Sequence, residues 1–303
     1  MHTSQKPEIS VVMPVYNGAL FIKEAIESIL IQTFMDFEFI IIDDGSTDHT
    51  IDIINNIKDK RIRLIQNSRN QGNYVVRNIG NKLARGKYIA VMDADDVSIP
   101  DRLEIQYHYL ERNRKTGLVG SSAEVIDVNN KRIRSLEKPV SYPTIKLFLL
   151  RDNCMVHPSV MYRVAQLKKH RISYNEQLKY AADYEFMIAC ARKFQIANVD
   201  QTLIRYRRHG AQISMGQRIL QSRYADVVRL KQLSRFQLKC THQEQLMHLN
   251  IMKNEGLNDL DVELASNWCN RLLDSNAKNK IYHHAKLYEF LRMLLYHNLN
   301  KPM

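Results

Sequence analysis

Four times in its first hundred residues the chain passes from a short β-branched run, through a polar loop, into a stretch with helical periodicity, and this alternation restricts its fold more than any other feature. Residues 9–13 form the first apolar run, closed by Pro14. Ile22, Ala25, Ile26, Ile29 and Leu30 then fall at i, i+3, i+4, i+7 and i+8, one stripe of an amphipathic helix. Residues 37–42 predict a second strand, and Ile51, Ile54 and Ile57 mark the helix after it. Residues 62–65, 74–84 and 88–92 supply a third strand, its helix and a fourth strand. Strands separated by single helices form parallel pairs with right-handed crossovers, so the expected fold is α/β: a Rossmann-like, mostly parallel sheet with helices on both faces.

Such sheets bind ligands outside the carboxyl ends of their strands. Three strands end here in polar or acidic segments: Pro14-Val15-Tyr16-Asn17, Asp43-Asp44-Gly45-Ser46 and Asp93-Ala94-Asp95-Asp96. All three are expected on one edge. Beyond Pro100 the pattern predicts a helix to about residue 113, a hairpin over 120–127 turning at Asn129-Asn130, and a helix over 143–150. A strand over 159–162, a helix over 184–194 and a strand over 199–206 follow, and from about residue 217 only helical periodicity remains. The expected division is a domain over 1–214, with a nucleotide-binding half to about 100 and an acceptor-side half after it, and a helical, basic extension over 215–303.

Composition narrows the function. The net charge is +12, of which residues 1–149 carry +1 and residues 150–303 carry +11. Excess cations serve nucleic acids, anionic membrane surfaces or phosphorylated small molecules. The four cysteines contain no C-x-x-C pair, which signals neither a zinc site nor a disulfide framework. No apolar run approaches the roughly 18 residues that span a bilayer, and the first residues are polar, so neither a membrane span nor a secretory leader is expected.

Three carboxylates within four residues at a strand end repel one another unless a cation or solvent intervenes, and hard oxygen donors of this kind suit Mg²⁺ or Mn²⁺ with substrate phosphates completing the shell. An isolated D-x-D is more often a solvated turn. Here it is accompanied by Ser10-Val11-Val12-Met13-Pro14-Val15-Tyr16-Asn17, Gln32-Thr33-Phe34, Ile42-Asp43-Asp44-Gly45-Ser46-Thr47-Asp48, Asn70 and Gly72 with Arg77-Asn78, and Gly86-Lys87-Tyr88-Ile89. In order and spacing these blocks resemble the inverting glycosyltransferases of family 2, which have the GT-A fold, among them enzymes of lipopolysaccharide, O-antigen and capsule synthesis. A weaker resemblance continues through Ala182-Asp183-Tyr184-Glu185 and Ile204-Arg205-Tyr206-Arg207-Arg208-His209, so that it covers residues 9–214.

The resemblance implies a role for each matched position. Pro14, Val15, Tyr16 and Ala94 would line the nucleotide, with Tyr16 near the base; Asp44 would accept from the uracil imide, and Arg77 would face the nucleotide. Asp93 would approach ribose and metal, Asp95 would be the main ligand of a divalent Mn²⁺ or Mg²⁺, and His209 would complete its shell. Asp183 would be the catalytic base, kept ionised by the dipole of the helix it opens, although Ala182 stands where the family often has Glu. His157-Pro158-Ser159 would line the acceptor side. Read as residues alone, several positions keep a plainer alternative: Asp43, Thr47 and Asp96 as caps, Arg77 as a solvated helix residue, His209 as a surface histidine. Arg207 and Arg208 read either as phosphate ligands or as a solvated charge run, and Met155 and Met161 as core filler.

The expected activity is transfer of a hexose or N-acetylhexosamine from a UDP-sugar to a hydroxyl of a surface glycan, the acceptor being a saccharide or lipid-linked saccharide. Processive synthases of the family carry membrane helices and a Gln-x-x-Arg-Trp motif. The only tryptophan here is Trp268, so one sugar per encounter is expected. A sugar nucleotidyltransferase would need a glycine-rich loop after the first strand, where only Asn17-Gly18 stands. A nucleic-acid-binding protein would need an aromatic platform or recognition motif, and none is visible, so no nucleic-acid partner is expected. The face formed by Ile281, Tyr282, Ala285, Leu287, Tyr288, Phe290, Leu291, Met293, Leu294 and Leu295 is too wide for a solitary surface helix. Its cover is expected to be the catalytic domain or a second subunit in a homodimer. The tail's positive excess adds peripheral contact with an anionic membrane, and the expected location is cytoplasmic, at the inner face of the membrane.

Overall fold

The computed structural model describes residues 6–210, 212, 216–257 and 261–300. The first half contains the anticipated βα units: β1 (Ile9–Val15), α1 (Ile22–Leu30), β2 (Phe37–Asp43), α2 (Thr50–Asn56), β3 (Ile62–Gln66), α3 (Asn73–Leu83) and β4 (Tyr88–Val91). The second half of the catalytic region continues with β5 (Val97–Ser98), α4 (Arg102–Arg112), β6 (Thr116–Ile126), β7 (Arg132–Leu136), α5 (Tyr142–Arg151), β8 (Met161–Arg163), α6 (Val164–His170), α7 (Ala182–Ala191) and β9 (Gln195–Arg207). All nine strands belong to one sheet of order β3-β2-β1-β4-β8-β6-β9-β5, with β7 paired to β6. The pairs β1–β2, β1–β4, β2–β3 and β6–β9 are parallel, whereas β8, β5 and β7 join antiparallel.

The two faces of β1, β2 and β4 explain why these strands are apolar along most of their length. Ile9, Val11, Met13, Phe39 and Ile41 pack on one face with α1, while Val12, Ile40, Ile42, Ile89 and Val91 pack on the other with Val76 of α3. A strand buried on both sides gains nothing from alternation. Helix α3 lies close to the sheet at Gly80, where a Cβ would run into Val12 and sit 3.0 Å from Ile42 Cδ1.

Strand β5 and helix α6 are additions to the sequence reading, β6 starts at Thr116 and not at 120, and the strand expected over 159–162 is β8, with residues 157–159 in a 3₁₀ turn ahead of it; two further elements also differ. The strand expected over 199–206 begins four residues earlier, because residues from Gln195 onward already pair with β6 through a register shift at Ser121–Ser122. The helix expected over 184–194 starts at Ala182 and stops at Ala191, which places Asp183 inside its first turn.

After residue 216 the described chain is helical: α8 (Arg218–Leu233), α9 (His242–Lys253), α10 (Asp261–Asn279) and α11 (His284–Leu299). Its apolar faces converge on a third core. Leu287, Phe290, Leu291 and Leu294 of α11 pack with Trp268 and Leu272 of α10, Ile251 of α9 and Leu147 and Leu150 of α5. The broad apolar face of the tail is thus covered by the chain's own helices, including one from the catalytic region; Tyr288 and Tyr296 stay exposed. Among the described residues no helix is long and apolar enough to cross a membrane.

Candidate active site

The carboxyl ends of β1, β2 and β4 meet as the topology requires. The loops after β1 and β2 are stitched together: Asn17, in the left-handed region at φ 52°, accepts from Thr47 N at 2.8 Å, and its own N–H donates to Ser46 Oγ at 2.8 Å. Gly18 N donates to Thr50 Oγ1 and Ala19 N to Asp48 Oδ2. Gly45 is required here, since its φ is 77° and a Cβ would lie 2.8 Å from the Arg69 backbone. Asp43 turns this loop by accepting from Gly45 N and Ser46 N.

Asp44 is buried, and Asn67 Nδ2 (2.9 Å), Gln71 N (3.0 Å) and Gly72 N (2.8 Å) converge on its carboxylate. It therefore orders the 67–72 loop that leads into α3. Tyr16 is 49% exposed at the rim, beside the buried Val15 and half-buried Pro14, and Ala94 faces the turn at Gly18.

Arg77 is not a solvated helix residue. It is 3% exposed and ion-paired to Asp93, with Nε and one Nη lacking a hydrogen-bond partner. Burial works against its charge, but the neighbouring Asp93 outweighs burial and raises its pKa. Asp93, Asp95 and Asp96 each bring an oxygen within 4.8 Å of the others. Asp95 Oδ2 accepts from Gln212 Nε2 at 3.2 Å and lies 3.0 Å from His209 Nε2, whose ring rests against Phe21.

Asp96 does not cap the following helix. It is wholly buried, one oxygen accepts from the backbone N of Arg207 at 2.8 Å, and the other has no partner. Burial first, and then the charges of Asp95 and Asp93, push its pKa well above the usual carboxylate range.

Arg207 is neither a phosphate ligand nor part of a solvated run. At 1% exposure it donates to Asp95 O (2.8 Å) and Asp127 O (3.1 Å), pairs with Glu24 at 2.6 Å and lies over the Phe21 ring. Its guanidinium straps the acidic loop to β9, α1 and the β6–β7 turn. The last inward-facing position of a long strand has no solvent to reach, which the run of charges in the sequence conceals.

Asp183 lies in the first turn of α7. Its Oδ1 accepts from Tyr74 at 3.0 Å and its Oδ2 from Asn153 Nδ2 at 2.9 Å. Burial raises its pKa against these hydrogen bonds, that from Tyr184 N and the charge of Arg77. Burial thus prevails over the helix start expected to keep the group ionised. Helix α3 links the two carboxylates, because Tyr74 and Arg77 are three residues apart and project from one face, the first to Asp183 and the second to Asp93. His157 is half-buried, 2.9 Å from the Tyr174 hydroxyl, and its desolvation lowers its pKa to about 3.

Tyr74, Asn153 and Gln212 had no motif to announce them. The spacing of Tyr74 from Arg77 on a predicted helix was the one available signal.

A mixed α/β sheet with an acidic loop at the carboxyl end of a central strand is the architecture of GT-A glycosyltransferases. Residues 10–170 match the model of glycosyl transferase family 2, and the chain belongs to that family. An uncharacterised glycosyltransferase of Methanocaldococcus jannaschii is 41% identical over 209 residues, covering 67% of this chain and 71% of the relative. One from Haemophilus influenzae is 34% identical over 218 residues, covering 69% and 68%. In fold the chain is similar to S. aureus TarS 1–349 in complex with UDP-GlcNAc, at TM-score 0.63 and 16% identity over 96% of this chain and 89% of that one. It is also similar to the mannosyltransferase PcManGT from Pyrobaculum calidifontis in complex with GDP-Man and Mn²⁺, at TM-score 0.58 and 15% identity over 97% and 86%. Both likenesses extend over the C-terminal helices.

Proposed function

We propose that this glycosyltransferase moves a hexose or N-acetylhexosamine from a UDP-sugar, with inversion and one unit at a time, onto a hydroxyl of a surface-glycan acceptor of the lipopolysaccharide, O-antigen or capsule type. The observation that supports the reading is that one face of α3 reaches two acidic groups: Arg77 pairs with Asp93 and Tyr74 donates to Asp183. Tyr16, Pro14, Val15, Ala94 and Asp44 form the wall assigned to the uridine. Asn67, Gln71 and Gly72 already fill the roughly four acceptor sites of Asp44, so an imide N–H would have to share its oxygens with the bifurcated Gln71 N–H.

The acidic cluster fits a divalent cation: its donors are hard oxygens, and Asp96 presents a buried oxygen with no partner. Asp95 and Asp93 would hold Mn²⁺ or Mg²⁺, with His209 as the third ligand, and the bound ion would supply Lewis-acid stabilisation of the departing diphosphate. Asp183 receives the acceptor proton on the opposite side of the sugar, as inversion demands. Burial serves this role, because a carboxylate whose pKa is raised takes up a proton more readily near neutral pH.

The test is incubation with Mn²⁺ and a panel of nucleotide sugars, following nucleoside diphosphate release. Release of UDP from one UDP-sugar is expected; turnover of GDP- or CMP-sugars alone would overturn the donor assignment. The acceptor is proposed to be a saccharide or lipid-linked saccharide, the latter met at the cytoplasmic face through charge. Flotation with anionic liposomes at low salt and release at high salt are expected; equal binding to neutral liposomes, or none, would refute that part.

A further inference from the structure

We propose that Tyr74 and Asn153 are positioning residues that clamp the two carboxylate oxygens of Asp183 in the orientation used to accept a proton; this rests on the assignment of Asp183 as the base. Each oxygen has its own donor, Tyr74 Oη at 3.0 Å and Asn153 Nδ2 at 2.9 Å, and the two donors come from elements far apart in sequence. A carboxylate held at both oxygens cannot rotate about its Cβ–Cγ bond without breaking a partly buried hydrogen bond.

Both jaws are themselves fixed. The Tyr74 ring stacks on Tyr174 (centroids 5.7 Å apart, 25° between planes), and Tyr174 stacks on Phe186 (4.3 Å, 16°). Phe186 lies on α7 three residues beyond Asp183, so the stack returns to the helix that carries the base. Asn78 pins Tyr174 from below, donating to its carbonyl at 2.9 Å and accepting from its N–H at 3.0 Å. On the other side, Asn153 Oδ1 accepts from Met155 N at 3.0 Å, which aims the amide nitrogen at Asp183. The segment bearing Asn153 is tied to the C-terminal helices: Arg229 of α8 donates to Arg151 O at 2.6 Å and pairs with Asp152 at 3.3 Å.

The charges nearby leave the clamp in control. From α3 come Tyr74 and Arg77, and from α7 itself Tyr184 and Glu185, the latter paired with Lys231 of α8. Asp152 is neutralised by Arg229. Helix α5 and strand β9 meet α7 through the buried apolar side chains Ile145, Leu149 and Ile196. The charge that acts on Asp183 is Arg77, and the tunable part of its environment is the pair of donors.

The experiment uses the full chain labelled with [¹³Cγ]aspartate. The Asp183 resonance is assigned by its loss in Asp183→Asn, and its titration is compared in wild type, Tyr74→Phe and Asn153→Ala, beside the pH profile of UDP release from UDP-GlcNAc or the active donor of the panel. Tyr74→Phe keeps the ring stack and therefore the fold. It is expected to move the Asp183 titration and the acid limb of kcat upward by about one pH unit, with kcat roughly tenfold lower and donor KM unchanged. Should Asn153→Ala fail to fold, Tyr74→Phe alone decides. A titration and pH profile identical to wild type in Tyr74→Phe, with at most a lower Tm, would overturn the clamp. Full activity in Asp183→Asn would instead overturn the assignment of the base, whatever Tyr74→Phe does.

Discussion

At the residue scale the site is organised by which carboxylates are already satisfied. Asp44 has both oxygens, and Asp43 one, engaged by the N–H groups that shape their loops, whereas Asp93 and Asp95 remain partly exposed at the rim. Asp95→Ala is accordingly expected to abolish transfer while leaving the fold intact, since it removes a rim carboxylate and not a core contact. Activity and circular dichroism measured together check this, and excess EDTA should reproduce the loss. Full activity in EDTA would refute dependence on a divalent ion.

At the element scale, α3 and the C-terminal helices make separate, measurable contributions. Because α3 touches the sheet at Gly80, Gly80→Ala should overpack Val12 and Ile42 and cost about 1–3 kcal/mol, read as a lower urea midpoint. In the third core, His248 is buried against Trp268, whose indole N–H donates to Nδ1 at 3.3 Å, and burial lowers the imidazole pKa to about 3. In the unfolded chain the same group titrates near 6.5. Between those values the unfolded state binds a proton that the folded state refuses, so this contribution to stability is present above pH 6.5 and is lost as the pH falls toward 3. The full loss is on the order of 5 kcal/mol. Tm measured from pH 7 to 4 by the fluorescence of Trp268, the chain's only tryptophan, should fall less steeply in His248→Gln, which keeps an acceptor for the indole.

At the scale of the whole molecule, α8 joins two cores: its Val228 is buried with the catalytic sheet and its Leu233 with the C-terminal helices. Between them Arg229 is buried against Asp226 (2.7 Å) and Asp152 (3.3 Å). Replacing Arg229 removes its hydrogen bond to Arg151 O and its pairing with Asp226, which keeps Lys253, and with the largely exposed Asp152, a loss of about 1–3 kcal/mol. Arg229→Met is therefore expected to lower the urea midpoints of Trp268 fluorescence and far-UV circular dichroism together. A shift confined to the fluorescence would mean that the two regions unfold independently.

The sequence by itself determined the βα order of the first hundred residues and the three loaded strand ends, because strand and helix periods and loop chemistry are local properties of the chain; the candidacy of Asp183 came from the family resemblance of its segment. It also showed that the face over 281–295 needed a cover. Only the tertiary structure decided that the cover includes Leu147 and Leu150 of α5, and that the start of β9 is set by its pairing with β6. It alone distinguished Arg207, a buried strap, from the solvated arginines that look identical in a run of charges, and brought Tyr74 and Asn153 onto one carboxylate. Burial and hydrogen bonding between residues separated by dozens of positions depend on where the sheet places them, and no local pattern records that.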